Sequence, residues 1–195
     1  MVRKLYRYFP GFKRVKRSWR SRGFGIHSPF AFRFVTCVLR ERGEYYAYRE
    51  MREFIGNSGR FKSMSLIVRL VCEFRPAVVA ISGDANVDIL SRSVRLADSR
   101  ADIVKASDFK TEDFDVATAE NEPSLLYVIT DNSADEQTAT RISSQADATV
   151  CLGQGLELFG RLKANQPVGM SFKSRRAAVI VNRRDLPRQD FEVNF

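Results

Sequence analysis

Histidine and tryptophan each occur once in this chain, cysteine occurs three times, and no acidic residue precedes Glu41. A single histidine with no partnered nucleophile argues against triad hydrolysis. Cys37, Cys72 and Cys151 stand far apart, without metal-ligand spacing, and no metal site is expected. Their odd number does not build a disulfide framework, so they read as buried or free thiols in a reducing cytoplasm. No apolar run reaches the length of a membrane span, and no signal-peptide core follows the basic start. The chain also lacks a Walker phosphate loop, a Gly-x-Ser-x-Gly elbow and a three-glycine dinucleotide turn.

What is present is unevenly distributed. The net charge is +9, yet residues 1–40 hold eleven Lys or Arg and no acid. The remaining residues carry 21 basic and 23 acidic side chains, a near balance. Arg3, Lys4, Arg7, Lys13, Arg14, Lys16, Arg17, Arg20 and Arg22 are interleaved with Tyr6, Tyr8, Phe9, Phe12 and Trp19. Cations among rings suit phosphates and bases, an anionic lipid surface, or an acidic partner. Equally, such rings can fold back on the body and leave a solvated arm. Residues 1–25 are therefore expected to be a basic aromatic arm. Residues 26–195 are expected to be one α/β domain, 44% of the chain being apolar.

The stretch around which that domain is organised runs from Pro76 to Ala97. Ala77–Ile81 is a short apolar run leaving through Ser82-Gly83-Asp84, and Val87, Leu90, Val94 and Ala97 follow at helical spacing. A strand, a small-residue turn and a helix place free N–H groups where a nucleotide-like ligand sits. Before it come helices within residues 28–74. Ser28 suits an N-cap and Pro29 the first helical position, with Gly43 as the stop. A Tyr-rich helix follows from Glu44 to Ile55, then a helix from Lys62 to Phe74. After it, strands are expected at Ala101–Ala106, Ser124–Thr130 and Ala148–Leu152. Residues 110–122 read as a loop or a frayed helix. Ser133 and Glu136 form a capping box for a helix to Gln145. Val168–Phe172 and Ala177–Val181 read as a hairpin. Alternating strands and helices with a closing hairpin predict a Rossmann-like, mostly parallel sheet with one antiparallel strand.

With these elements placed, the chain resembles the class I S-adenosylmethionine-dependent methyltransferases. More narrowly, it is similar to bacterial methyltransferase-like proteins. The resemblance rests on His27-Ser28-Pro29-Phe30, on Tyr45-Tyr46-Ala47-Tyr48, and on the C-terminal Val179 to Phe191. It implies a cofactor loop over Ser82, Gly83, Asp84 and Asn86, with Asp108 reaching the adenine amino group. His27 or Asp131 would then orient an acceptor hydroxyl or amine, His27 otherwise being structural at its helix start.

The departures from that pattern are specific. Ala80 stands where the family carries an acid, and Ser82 and Asn86 stand where it carries glycines. There is no room between Ala97 and Ala101 for a separate ribose-binding strand. Thr130-Asp131-Asn132-Ser133 replaces Asp-Gly-Asn-His, and Gly153-Gln154 replaces paired acids. Ser82 is therefore expected to put a side chain against the ligand, and S-adenosylmethionine to bind weakly. Three functions stay open at this point. One is a cofactor-poor scaffold, a pseudo-enzyme, acting by binding. Another is an active small-molecule methyltransferase. The third is a cytoplasmic protein that binds nucleic acid or a membrane periphery through its arm.

Overall fold

The computed structural model describes residues 25–56, 59–84, 86–109, 124–132, 134–166 and 168–195. The basic segment before Gly25, the 110–122 stretch and Ser133 lie outside them. The fold is α/β. Seven strands form one sheet in the order β2-β1-β3-β4-β6-β5-β7. They are β1 (Val78–Ser82), β2 (Asp102–Lys105), β3 (Leu125–Ile129), β4 (Ala148–Leu152), β5 (Met170–Lys173), β6 (Ala177–Val181) and β7 (Gln189–Glu192). β1, β3 and β4 are parallel neighbours at the centre, as their aliphatic runs predict. Only β6 runs the other way, antiparallel to both β4 and β5.

Side-chain alternation divides the core between the two faces of the sheet. On one face Val79, Ile81, Leu126, Val128 and Val150 meet the N-terminal helices and the helix that follows β1. These are α1 (Pro29–Arg33), continued by a π-helical turn over Phe34–Leu39, then α2 (Tyr46–Ile55), α3 (Gly59–Phe74) and α4 (Val87–Ala97). On the other face Ala80, Leu125, Tyr127, Ile129 and Cys151 pack under α5 (Glu136–Gln145) and α6 (Leu156–Asn165). With both faces covered, the central strands are fully apolar. Val79, Leu126 and Val128 are completely buried. Val78, expected to be buried, is half-buried at the start of β1.

Local chemistry sets the element ends. Ser28 caps α1 by accepting the Ala31 N–H at 3.3 Å, and Pro29 opens the helix. Gly43 is not the stop. The chain leaves the helix at Arg40, whose N–H bonds Val35 O five residues back. Such a π closure widens the last turn. α2 starts at Tyr46 rather than Glu44, and Glu44 instead clasps Arg52 with both carboxylate oxygens, at 2.8 and 3.0 Å. Asp135, not Ser133, caps α5, accepting Thr138 N–H at 2.9 Å. β7 was not expected at all. It holds because Phe191 stacks on Phe172, with ring centroids 5.2 Å apart, and Asp190 accepts from Ser171 Oγ and Lys163 Nζ.

Candidate functional site

In an open α/β sheet a ligand enters at the carboxyl edge, where successive crossovers diverge. Here β1 leads to β2 on one side and β3 leads to β4 on the other, so the divergence lies between Ser82 and Ile129. Four of the expected cofactor residues and Asp131 do gather at that point. Gly83 turns with φ +98°, and a Cβ added there would collide with Asp131 Oδ2 and Thr130 Oγ1. Only glycine fits this approach of two loops. Asn86 takes the left-handed conformation, φ 63°, and so does the work expected of a second glycine. The chain then enters α4, with Leu90 N–H bonded to Asn86 O.

Three hydrogen bonds tie the end of β1 and its turn to the chain after β3. Thr130 donates both its N–H, at 3.0 Å, and its hydroxyl, at 3.2 Å, to Ser82 O. The Asp131 carboxylate accepts Asp84 N–H at 3.0 Å. Half-buried Asp131 therefore sits beside the cofactor turn, as its assignment requires, but its Oδ2 is committed to holding that turn. β2 pairs directly with β1, and no strand intervenes to carry a ribose-binding acid.

Ser82 behaves differently from the sequence-based expectation. β1 extends one residue further than Ile81, so the Ser82 side chain follows Ala80 onto the α5–α6 face of the sheet. There its hydroxyl pairs with Tyr127 OH at 2.6 Å, and both residues are buried. Tyr127 lies in register with Ala80, whose methyl group leaves space for the ring. Burial pushes the Tyr127 phenol up to about 12, against the opposing hydrogen bond from Ser82. The Cys151 thiol on the same face is pushed up to about 12 by burial, so it is an inert neutral thiol.

The other expected residues are spread out. Exposed Asp108 follows the turn after β2 and accepts Ser107 Oγ at 2.9 Å. It borders a hollow of about 270 Å³ with Phe109 and Arg95. Asp84 and Asn86 border another of about 380 Å³, with Lys105 opposite. His27 is exposed just before α1. Phe30, in the first turn of α1, carries the Arg183 guanidinium 5.1 Å from its ring centre, and Arg183 follows the end of antiparallel β6. His27 thus sits by the amino edge of the parallel strands, and the structure does not bring it to Asp131. Among the described residues no group of three or more His, Cys, Asp or Glu could hold a metal ion. No helix of the described residues is long and apolar enough to cross a membrane.

Sequence reasoning missed Tyr127, which pairs with the Ser82 hydroxyl on the sheet face, and Thr130, which bonds Ser82 O beside the turn. The available signal was a hydroxyl-bearing ring in an otherwise aliphatic strand, in a chain whose first strand carries Ala80 and Ser82. Comparison with known protein families, curated proteins and solved structures returned no match.

Proposed function

We propose that this chain is a methyltransferase-type scaffold with a closed cofactor crevice, acting by binding rather than by methyl transfer. One observation carries the reading. At the divergence of β1 and β3, Asp131 and Thr130 bond to Asp84 and Ser82 and press against Gly83, in the turn that would have to receive a ligand. Opening this point breaks three hydrogen bonds before any ligand contact forms. The residues left to receive S-adenosylmethionine are Asp108 and the turn over Gly83, Asp84 and Asn86, with the α4 N-terminus behind them. They lack a carboxylate on the ribose side, and a charge-assisted bond there contributes roughly 1.5–3 kcal/mol. The basic arm, a cytoplasmic setting and contact with an anionic surface belong to the same proposal.

Calorimetric titration with S-adenosylmethionine and its demethylated product tests it. The expected dissociation constants lie above about 0.1 mM, less than about 5.5 kcal/mol of binding. Low-micromolar binding that disappears in Asp108→Ala would restore the enzyme reading.

A further inference from the structure

A third hollow at the carboxyl edge of the sheet is larger than either of those near Asp84 and Asp108. It encloses about 620 Å³ between the chain after α1, the start of α3, and the turn joining β5 to β6. That is within the range of small-molecule sites, about 300–1,000 Å³. Six cationic and two acidic side chains line it, four more positive than negative. Both carboxylates are engaged. Glu44 clasps Arg52, and Glu41 Oε1 accepts the backbone N–H groups of Arg42 and Gly43. Among the described residues, Arg42, Lys62 and Arg176 have no carboxylate partner.

The inner wall carries an independent signal. Arg69 donates to Tyr48 OH and to Leu39 O, each at 3.2 Å, so both of its bonds go to neutral acceptors. Its Nε remains buried and unpartnered. One turn earlier on α3, the Ser65 hydroxyl is also buried and unpartnered, the residue being 4% exposed. Among the described residues these are the only two buried side-chain polar atoms without a partner, and both residues line this one hollow. Buried polar groups are normally satisfied, and exceptions concentrate at functional positions. The N-terminus of the sixteen-residue α3 opens into the same space. Gly59 adds no side chain over it, and the Arg176 guanidinium lies 3.8 Å from where a Gly59 Cβ would be. The positive end of a helix favours an anion. Tyr48 and Phe61, packed edge to face at 5.7 Å, form an apolar wall beside the charges.

We propose that this hollow binds an organic phosphate, with Arg69 behind it, Lys62 and Arg176 at its rim, and the Tyr48–Phe61 wall against its organic part. The site shares no residue with the cofactor crevice, so it stands or falls independently of the cofactor reading.

The test uses the full chain and three probes: inorganic phosphate, adenosine monophosphate, and phosphatidylcholine vesicles containing phosphatidic acid. The variant is Lys62→Glu with Arg176→Glu, both exposed positions. A charge-matched control carries Arg141→Glu with Arg184→Glu, exposed positions that line neither this hollow nor those near Asp84 and Asp108. Wild type and control are expected to bind adenosine monophosphate more tightly than inorganic phosphate. The rim variant is expected to bind at least tenfold more weakly at unchanged circular dichroism. Vesicle binding lost in the rim variant, without binding of the soluble probes, supports the phosphate site and assigns it to a lipid headgroup. Absence of binding to all three probes overturns the proposal. So does a rim variant that matches the charge-matched control.

Discussion

The buried Ser82–Tyr127 pair makes a quantitative prediction about the sheet face beneath the turn. The two hydroxyls meet at 2.6 Å, with Ser82 6% and Tyr127 0% exposed, so water does not replace a lost partner. Ser82→Ala leaves the Tyr127 hydroxyl orphaned, and Tyr127→Phe orphans Ser82. Each single change is expected to cost about 1–3 kcal/mol, the desolvation of one buried unsatisfied group. The double variant removes both polar groups together and should cost much less than the sum. The coupling is therefore expected to be on the order of 1–2 kcal/mol. For a chain of this length each kcal/mol moves Tm by about 2–4 °C. Guanidinium denaturation followed by far-UV circular dichroism is the assay. A coupling indistinguishable from zero would refute the buried pair. The same geometry makes a functional statement. Because the Ser82 side chain points to the α5–α6 face, Ser82→Gly should leave S-adenosylmethionine binding unchanged. A tenfold gain in affinity would mean that Ser82 faces the ligand after all.

Two other changes probe the edges of the same construction. Gly83→Ala forces a Cβ into Asp131 and Thr130 at a positive φ, and should destabilise by roughly 2–4 kcal/mol, read as a lower denaturation midpoint. Deleting residues 1–22 removes nine cations and no acid. It should abolish steeply salt-dependent binding to RNA or anionic vesicles while leaving Tm within about 2 °C. Equal binding by the full and shortened chains removes the arm from the proposed function.

The parts of the fold legible in sequence share a physical cause. Strands buried on both faces must be continuously apolar, so Leu125–Ile129 and Ala148–Leu152 stand out from their polar flanks. Ser28 and Pro29 mark the start of α1 because capping uses only neighbours in sequence. What escaped depends on distant partners or on a single residue of register. Gln189–Glu192 contains one apolar residue, Phe191, and becomes a strand only through Phe172, Ser171 and Lys163. Ending β1 at Ile81 or at Ser82 differs by one position, yet that position decides whether Ser82 belongs to the turn or to the sheet face. The cationic hollow joins Arg42, Arg69 and Arg176, which no local motif connects.

Alkaline stability separates the two inert groups of the α5–α6 face from the exposed charges elsewhere. The Tyr127 phenol rises from its ordinary value near 10 to about 12, and the Cys151 thiol from near 9 to about 12, both because burial disfavours the anion. A folded-state value above the unfolded one means that the folded chain holds its proton more tightly. The associated stability is complete below about pH 9 and is lost as pH rises toward 12. Between those limits the unfolded chain ionises first and draws the equilibrium toward itself. At about pH 10.5 the thiol accounts for roughly 2 kcal/mol of loss and the phenol for a little under 1 kcal/mol. Tyr127→Phe combined with Cys151→Ala should therefore flatten the fall in denaturation free energy between pH 8.5 and 10.5, although the variant starts from lower stability. Parallel curves for wild type and the double variant would show that neither group is held neutral by the sheet.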